Sequence, residues 1–388
     1  MRILRWLAGI ILALAVAAGL GWLWKGDEIR RLMVVNTLFE PEHITQNFSN
    51  MDAAFLHVDL PAGPGPASPL PKGASITLPD STRAMMEARQ VTSFLVLKDG
   101  VIRYEDYLRG TGPEDRRISW SIAKSYLSAL FGVVLAEGHI DSLDDPVRKY
   151  DPRLAGTAYD AATVRDVLNM TSGVRFNEDY FDYHSDINRM GRVLALGREM
   201  DAFTLDLTET DRAPGQQWQY VSIDTHVVGM VIRGATGRSA SELMAEKILA
   251  PLGLEQGGTY LTDGAGVAFV LGGLNFSTRD YARFGQMMLQ DGRAGEVQVV
   301  PAEWIEQSLQ PDAPTQPGQI GYGNQWWFPV DAQPGEAFGH GIYGQYLYLD
   351  RERDVLIVST ATDRNFREPG TKTAWVAEFR KIARALAP

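Results

Sequence analysis

Apolar residues along this 388-residue chain fall into stretches whose period predicts secondary structure. Strand-like segments at 92–97 and 101–108 flank Asp99-Gly100, a pair typical of a tight hairpin turn. From Ile122 to about Gly138 the pattern changes to a helix that is apolar on most sides, which is typical of a core helix. The chain therefore contains an early antiparallel hairpin followed directly by a buried helix.

The order of the remaining elements predicts the fold class. Residues 138–262 show mostly helices and loops, whereas strand patterns return at 321–330, 337–350 and 353–363 before a final helix at 371–387. The simplest packing pairs the early hairpin with the late strands in one sheet. We therefore expect an α+β protein with an antiparallel sheet, flanking helices and an inserted, mostly helical lobe.

The order of helices and strands also predicts where the domains begin and end. The expected units are an N-terminal segment at 1–25, a discontinuous sheet domain at 26–137 and 263–388, and the helical lobe at 138–262.

The N-terminus carries a continuous apolar run from Trp6 to Trp24, preceded by two arginines and followed by Lys25. Its length approaches the roughly 20 residues of a membrane span, and its tryptophans lie near the ends, as interfacial anchors do. The favoured hypothesis is an uncleaved signal anchor, which makes the membrane a partner through this helix. A signal peptide cut after residues 15–17 is the alternative. Either reading places the rest of the chain across the membrane, in the cell envelope or outside it.

Composition excludes several function classes. The net charge is −11 and no basic stripe is present, which argues against nucleic-acid binding. Without cysteines there are no disulfides, thiolate metal sites or cysteine nucleophiles. The six histidines are scattered, and no P-loop, dinucleotide fingerprint or Gly-x-Ser-x-Gly elbow occurs. We therefore expect neither a metal nor another cofactor.

The core helix begins with an unusual polar stripe formed by Ser121, Lys124, Ser125 and Ser128. Burial lowers the pKa of a lysine, so that it can take a proton from a serine one turn away. The helix N-terminus also favours developing negative charge. A Ser-x-x-Lys without function is the alternative, since about one is expected by chance in a chain of this length.

Two further stretches are candidates for the same site. Tyr220 lies just before a helix that starts near Ile223, and a lysine beside it would favour its phenolate form, although a packed tyrosine is the simpler interpretation. Glycines crowd residues 339–345, where a strand could offer an N–H to a ligand or merely contain a bulge. His340 in this stretch is either a site residue or a strand-end histidine.

Together these stretches resemble the serine β-lactamase and penicillin-binding-protein superfamily, in particular its class C-like branch of esterases, D-aminopeptidases and 6-aminohexanoate-dimer hydrolases. The resemblance runs from about residue 75 to the end. Ser121-x-x-Lys124 resembles the nucleophile motif, residues 220–222 stand at the Tyr-x-Asn motif, and 339–345 stand at the Lys-Thr-Gly or His-x-Gly motif.

The resemblance implies acyl transfer to a serine. Ser121 would attack a carbonyl, Lys124 and Tyr220 would share the proton transfers, and the N–H groups of Ser121 and Ile342 would form the oxyanion hole. The residues it assigns to substrate binding are Tyr180, Ser222, His340 and Gly341. Tyr180 could equally belong to a solvated acidic loop.

Two departures from the family pattern restrict the classes of substrate that we expect. Ser222 replaces the usual asparagine, and His340 replaces the lysine that helps to hold the β-lactam carboxylate. The first hypothesis is therefore an exported or membrane-anchored serine hydrolase of small esters or amides. The alternative is a penicillin-binding or peptide-sensing domain that turns over slowly or not at all, or a weak β-lactamase. The natural substrate and the oligomeric state stay open.

Overall fold

A seven-stranded antiparallel sheet organises the chain, and the early hairpin pairs with the late strands in it, as expected. In this computed structural model, which describes residues 2–386, the strand order is β3-β2-β13-β12-β11-β10-β9. These strands are β2 (Val91–Lys98), β3 (Val101–Tyr107), β9 (Gly321–Gly323), β10 (Trp326–Phe328), β11 (Glu336–Gly341), β12 (Gln345–Asp350) and β13 (Val355–Ala361). The hairpin turn at Asp99 and Gly100 has positive φ at both residues, which is why this pair suits it.

Helices cover both faces of this sheet. The helices of the chain are α1 (Arg2–Asn36), α2 (Ile44–Asn47), α3 (Asp80–Ala88), α4 (Ile122–Ala136), α5 (Val164–Leu168), α6 (Asp186–Ala195), α7 (Met200–Leu205), α8 (Ser222–Thr236), α9 (Ala240–Leu243), α10 (Ala250–Leu252), α11 (Thr278–Leu289), α12 (Ala302–Ser308) and α13 (Thr371–Ala385). A π-helical segment, Met244–Leu249, joins α9 to α10. Phe94 and Val96 of β2 pack with α13, whereas Leu95 and Leu97 face the core that contains α4 and α11. Alternate residues of one strand thus face two apolar layers.

A second sheet of four short strands was not predicted. It has the order β1-β5-β6-β4 and consists of β1 (His57–Leu60), β4 (Arg117–Ile118), β5 (Gly258–Leu261) and β6 (Leu274–Phe276). A two-stranded ribbon of β7 (Arg293–Ala294) and β8 (Val297–Gln298) also occurs. The strand β4 ends three residues before Ser121, so this small sheet fixes the start of α4.

Two of the three late strand patterns are interrupted. Asn324 and Gln325 have positive φ and separate β9 from β10, while Tyr343 and Gly344 form the turn between β11 and β12. The expected sheet topology is confirmed, with five strands in place of three. The helices α5 to α10 lie in residues 138–262, and the division into a sheet domain and an inserted lobe remains a prediction.

The N-terminal helix α1 contains a segment, within Arg5–Asn36, that is long and apolar enough to cross a membrane. Its most apolar window has mean hydropathy 2.1 and is 0% buried against the rest of the chain. Near the other end, Val34 and Val35 pack against the main core. An anchor and a signal sequence both fit this helix.

Candidate active site

Ser121 lies at the N-cap of α4, where the chain turns sharply out of the small sheet. The preceding Trp120 adopts φ 42°, a left-handed conformation that costs a bulky residue on the order of 1 kcal/mol. Every residue of α4 from Ile122 to Val134 is buried, whereas Ser121 is half-buried and faces a cavity. The N-cap of the core helix thus presents Ser121 to the cavity.

Lys124 lies one turn further, beneath the cavity wall, and is 1% exposed. Its Nζ donates a hydrogen bond to the carbonyl of Leu271 at 3.1 Å, and it forms no salt bridge with any described residue. Burial lowers the pKa of Lys124 to about 7, although Glu178 and Asp224 act in the opposite direction. A substantial fraction of Lys124 is therefore neutral near pH 7 and able to accept a proton.

Tyr220 lines the same cavity just before α8. Its ring stacks on Trp327 with centroids 4.9 Å apart, and Lys124 Nζ lies 5.7 Å from its centre. Burial and then Glu178 raise the pKa of Tyr220, while the Ser121 and Ser222 hydroxyls act to lower it. The phenolate form, which the sequence analysis weighed against a packed tyrosine, is therefore not favoured. Lys124 lies over the ring face and is itself partly neutral, so it does not supply the cation that a phenolate needs.

The end of strand β11 presses against the turn that precedes Ser121. A Cβ on Gly341 would lie 2.4 Å from the carbonyl oxygen of Ser119 and 3.0 Å from Cβ of Trp120, so only glycine fits without displacing the backbone. This approach brings Ile342 to the cavity wall that also contains Ser121. Across residues 2–386, neither the Ser121 nor the Ile342 N–H donates to another backbone group, so both are free to bind a developing oxyanion.

The loop before α6 contributes a carboxylate that the sequence analysis did not assign. Glu178 accepts hydrogen bonds from the Ser222 hydroxyl at 2.5 Å, from the Ser222 N–H at 3.0 Å and from the Tyr180 hydroxyl at 2.7 Å. Burial and Glu178 raise the pKa of Tyr180, which keeps this phenol protonated. The half-buried Tyr180 side chain therefore lines the cavity, although its loop is solvated at the neighbouring Asp179 and Phe181.

His340 is 6% exposed, and its Nε2 has no hydrogen-bond partner among the residues that the structure describes. Burial, together with the charge of Lys372, holds the pKa of His340 well below its usual range. The ring is thus a neutral donor or acceptor in the cavity wall. It lies 6.2 Å from Trp327, centroid to centroid.

The cavity has a volume of about 510 Å³, which suits a small molecule. Of the residues expected at the site, five line it: Ser121, Tyr180, Tyr220, His340 and Ile342. Lys124, Ser222 and Gly341 lie behind this wall. All eight predicted residues are thus in or directly behind one cavity.

Known proteins resemble this chain in both sequence and fold. The family model described as Beta-lactamase matches residues 80–379. The chain belongs to the beta-lactamase family.

Two relatives of known activity are similar to this chain in sequence. The chain is 32% identical to the 6-aminohexanoate-dimer hydrolase of Paenarthrobacter ureafaciens over 313 residues, which is 76% of this chain and 79% of the relative. It is 28% identical to the D-aminopeptidase of Brucella anthropi over 168 residues, covering 41% of this chain and 31% of that protein.

Solved structures share the fold. A Bacillus anthracis protein assigned as a 6-aminohexanoate-dimer hydrolase superposes with TM-score 0.80 at 22% identity, over 90% of this chain and 96% of that one. A family VIII carboxylesterase superposes with TM-score 0.59 at 16% identity, over 79% and 98% respectively. The predicted family and the predicted α+β fold are confirmed, and the protein is a beta-lactamase-fold hydrolase.

Proposed function

We propose that this beta-lactamase-family hydrolase cleaves small esters or amides through an acyl-enzyme on Ser121. The observation that supports this most directly is Lys124, a buried lysine one helical turn from Ser121 that has no carboxylate partner among the described residues. Burying an unpaired lysine costs stability, which is acceptable where the neutral amine has a chemical role.

In acylation, the neutral Lys124 amine accepts the Ser121 proton as Oγ attacks the substrate carbonyl carbon. The carbonyl oxygen becomes an oxyanion that the N–H groups of Ser121 and Ile342 bind. Tyr220, as a neutral phenol, gives its proton to the leaving amine or alkoxide. The Lys124 ammonium then returns a proton to Tyr220, so that the acyl-enzyme forms with no net change in protonation.

In deacylation a water molecule attacks the acyl carbonyl and loses a proton to the Lys124–Tyr220 pair. The tetrahedral intermediate collapses, Ser121 Oγ regains a proton, and the carboxylic acid leaves. Glu178 holds Ser222 and Tyr180 in place around this reaction and contacts neither Ser121 nor Lys124 by a direct hydrogen bond.

The proposal includes an exported, membrane-anchored location, supported by the apolar N-terminal helix. Partners would then be the membrane, through α1, and a small ester or amide substrate in the cavity.

Covalent labelling tests the proposed nucleophile. A fluorophosphonate should add to the full-length protein once, at Ser121, as located by peptide mass spectrometry. Label elsewhere, or none under conditions where esters are cleaved, would overturn the assignment. A β-lactam adduct that persists without turnover would favour the alternative, a peptide or penicillin sensor.

A further inference from the structure

Two aromatic residues from the segment that follows α1, Phe39 and Phe48, contact the turns on either side of the expected oxyanion hole. The ring of Phe39 stacks on Tyr343, with centroids 5.1 Å apart and planes at 9°, and lies 6.1 Å from the ring of Trp120. Phe48 meets the same two rings edge-on, at 5.6 Å from Trp120 and 5.3 Å from Tyr343. This N-terminal aromatic pair therefore connects the two turns.

Each of these turns carries one of the two oxyanion donors. Trp120 directly precedes the N–H of Ser121, and Tyr343 directly follows the N–H of Ile342. Both aromatic residues have a left-handed backbone, with φ 42° for Trp120 and 60° for Tyr343. Bulky residues rarely adopt this conformation, which persists only where the surrounding contacts enforce it. Packing of both rings against the N-terminal aromatic pair supplies such contacts.

The segment that carries this pair is itself fixed to the start of the core helix. Buried Arg117 donates hydrogen bonds through Nη1 to the Thr45 carbonyl at 2.7 Å and to the Ser49 hydroxyl at 2.6 Å. The carbonyl of Phe48 accepts a hydrogen bond from the N–H of Ile118 at 3.0 Å. Because Arg117 and Ile118 form β4, the segment is held by the strand that leads into the serine turn.

We propose that Phe39 is a positioning residue for the oxyanion hole. Its ring holds the Tyr343 turn, so that the N–H of Ile342 binds the oxyanion together with the N–H of Ser121. This inference rests on the proposed serine hydrolase function and adds to it a residue outside residues 80–379, the part of the chain that the family model matches. Phe39 is not among the residues that line the cavity, so it acts through Tyr343 and not on the substrate.

The exposure of Phe39 separates this role from packing alone. Phe48 is 0% exposed, and its removal would leave a cavity in the core, whereas Phe39 is 40% exposed. Phe39 is therefore the member of the pair whose replacement changes the support of the turn more than the stability of the fold.

Other contacts of Tyr343 set the size of the expected effect. Its ring lies 4.8 Å from that of Phe366, and its carbonyl accepts a hydrogen bond from the N–H of Asp363 at 3.1 Å. The turn thus keeps part of its support when the Phe39 ring is removed. The expected defect is a displaced donor, which costs less activity than a deleted one.

Steady-state hydrolysis of 4-nitrophenyl butyrate by the full-length protein tests the inference. Acylation and deacylation both form a tetrahedral intermediate, and the same N–H groups bind its oxyanion in each step. Phe39→Ala should therefore lower kcat by roughly 10-fold whichever step limits, with KM within about threefold of wild type. Phe39→Tyr retains the ring and should keep kcat within about twofold of wild type.

A matched control and a double variant identify the route of the effect. Leu196 is 38% exposed and does not line the cavity, so Leu196→Ala should keep wild-type kcat. Tyr343→Leu removes the ring on which Phe39 stacks and should itself lower kcat. In that background the further change Phe39→Ala should cost less than about twofold, because the contact is already lost.

The inference is wrong if Phe39→Ala retains wild-type kcat, if it changes KM alone, or if Leu196→Ala loses as much kcat. It is also wrong if Phe39→Tyr is as slow as Phe39→Ala, or if the losses of Phe39→Ala and Tyr343→Leu multiply in the double variant. If wild type cleaves no ester and Ser121 is not labelled, the proposed function itself fails, which is a different result.

Discussion

The Nζ atom of Lys124 lies 5.7 Å from the centre of the Tyr220 ring, and the carbonyl of Leu271 accepts its hydrogen bond at 3.1 Å. These two contacts favour the ammonium form, but no carboxylate of the described chain forms a salt bridge with Lys124, and the side chain is 1% exposed. This explains why burial dominates and lowers the pKa of Lys124 to about 7.

The first prediction concerns pH. Below the pKa of Lys124 the amine is protonated and cannot accept the Ser121 proton, and above it the amine is free. The kcat/KM for 4-nitrophenyl butyrate should therefore rise about tenfold per pH unit well below 7 and level off above it. A flat profile between pH 5.5 and 8.5 would contradict this role.

The pH profile needs a control for Asp224, because burial raises the pKa of its carboxyl to about 7, the same value as that of Lys124. Its carboxylate accepts hydrogen bonds from Tyr159 and Ser172, away from the cavity wall. In Asp224→Asn the ascending limb should therefore persist, displaced to lower pH because the Asp224 charge also raises the pKa of Lys124. Loss of the limb in this variant would assign it to Asp224.

The second prediction concerns Glu178, whose negative charge raises the pKa of Lys124. Replacing it by glutamine keeps the shape and an acceptor for Ser222 but removes the charge. Glu178→Gln should move the ascending limb of the kcat/KM profile to lower pH. Glu368→Gln is the matched control, because Glu368 lines the same cavity but pairs with Arg89. A limb that moves upward, or equally in both variants, would exclude this electrostatic coupling.

The third prediction concerns the close approach at Gly341. The Cβ of Gly341→Ala would meet the Ser119 carbonyl at 2.4 Å, so the strand end must move away and carry the Ile342 N–H with it. Misplacing one oxyanion donor should lower kcat by at least about 100-fold. Gly112→Ala, where a Cβ meets nothing within 4 Å, should keep full activity. Wild-type kcat in a folded Gly341→Ala protein would show that this N–H does not bind the oxyanion.

The fourth prediction concerns the N-terminal helix. If α1 is an uncleaved anchor, full-length protein expressed in a bacterial host should stay with membranes after an alkaline wash, and its intact mass should include residues 1–25. A soluble protein that begins just after Ala17 would instead identify a cleaved signal peptide. A protein that retains these residues yet is recovered from the cytoplasm would contradict both hypotheses.

Local patterns explain what could be predicted from the sequence. The hairpin depends on the adjacent pair Asp99-Gly100, and Ser121 and Lys124 share a helix face because they are three residues apart. In both cases the residues that decide the structure are neighbours in the chain, so periodicity and turn chemistry are sufficient.

Features that depend on contacts between distant segments of the chain could not be predicted from the sequence. The strand β1 is four residues long, and its partner β5 lies about 200 residues away, so neither has a clear pattern of its own. Glu178 reaches Ser222 over 44 residues of sequence, and Phe39 stacks on Tyr343 across most of the length of the chain. An acidic side chain in a loop or an aromatic one after a helix gives no sequence signal of such a role.

The conformation of the turn at residues 342–344 could not be predicted from its sequence motif either. Glycines at 339, 341 and 344 indicated a close approach, but not that Tyr343 would adopt φ 60° and end the strand beside Ser121. Which backbone N–H faces the serine depends on this turn.

The central claim is that Ser121 is the nucleophile, and paired serine variants test it most directly. Ser121→Ala and Ser128→Ala each remove one hydroxyl from the polar stripe of α4, but Ser128 is fully buried and its Oγ has no partner in the described part of the chain. With 4-nitrophenyl butyrate, Ser121→Ala should lose at least about a thousandfold in kcat/KM, while Ser128→Ala stays within about threefold of wild type. Equal turnover by Ser121→Ala and wild-type protein would contradict the account.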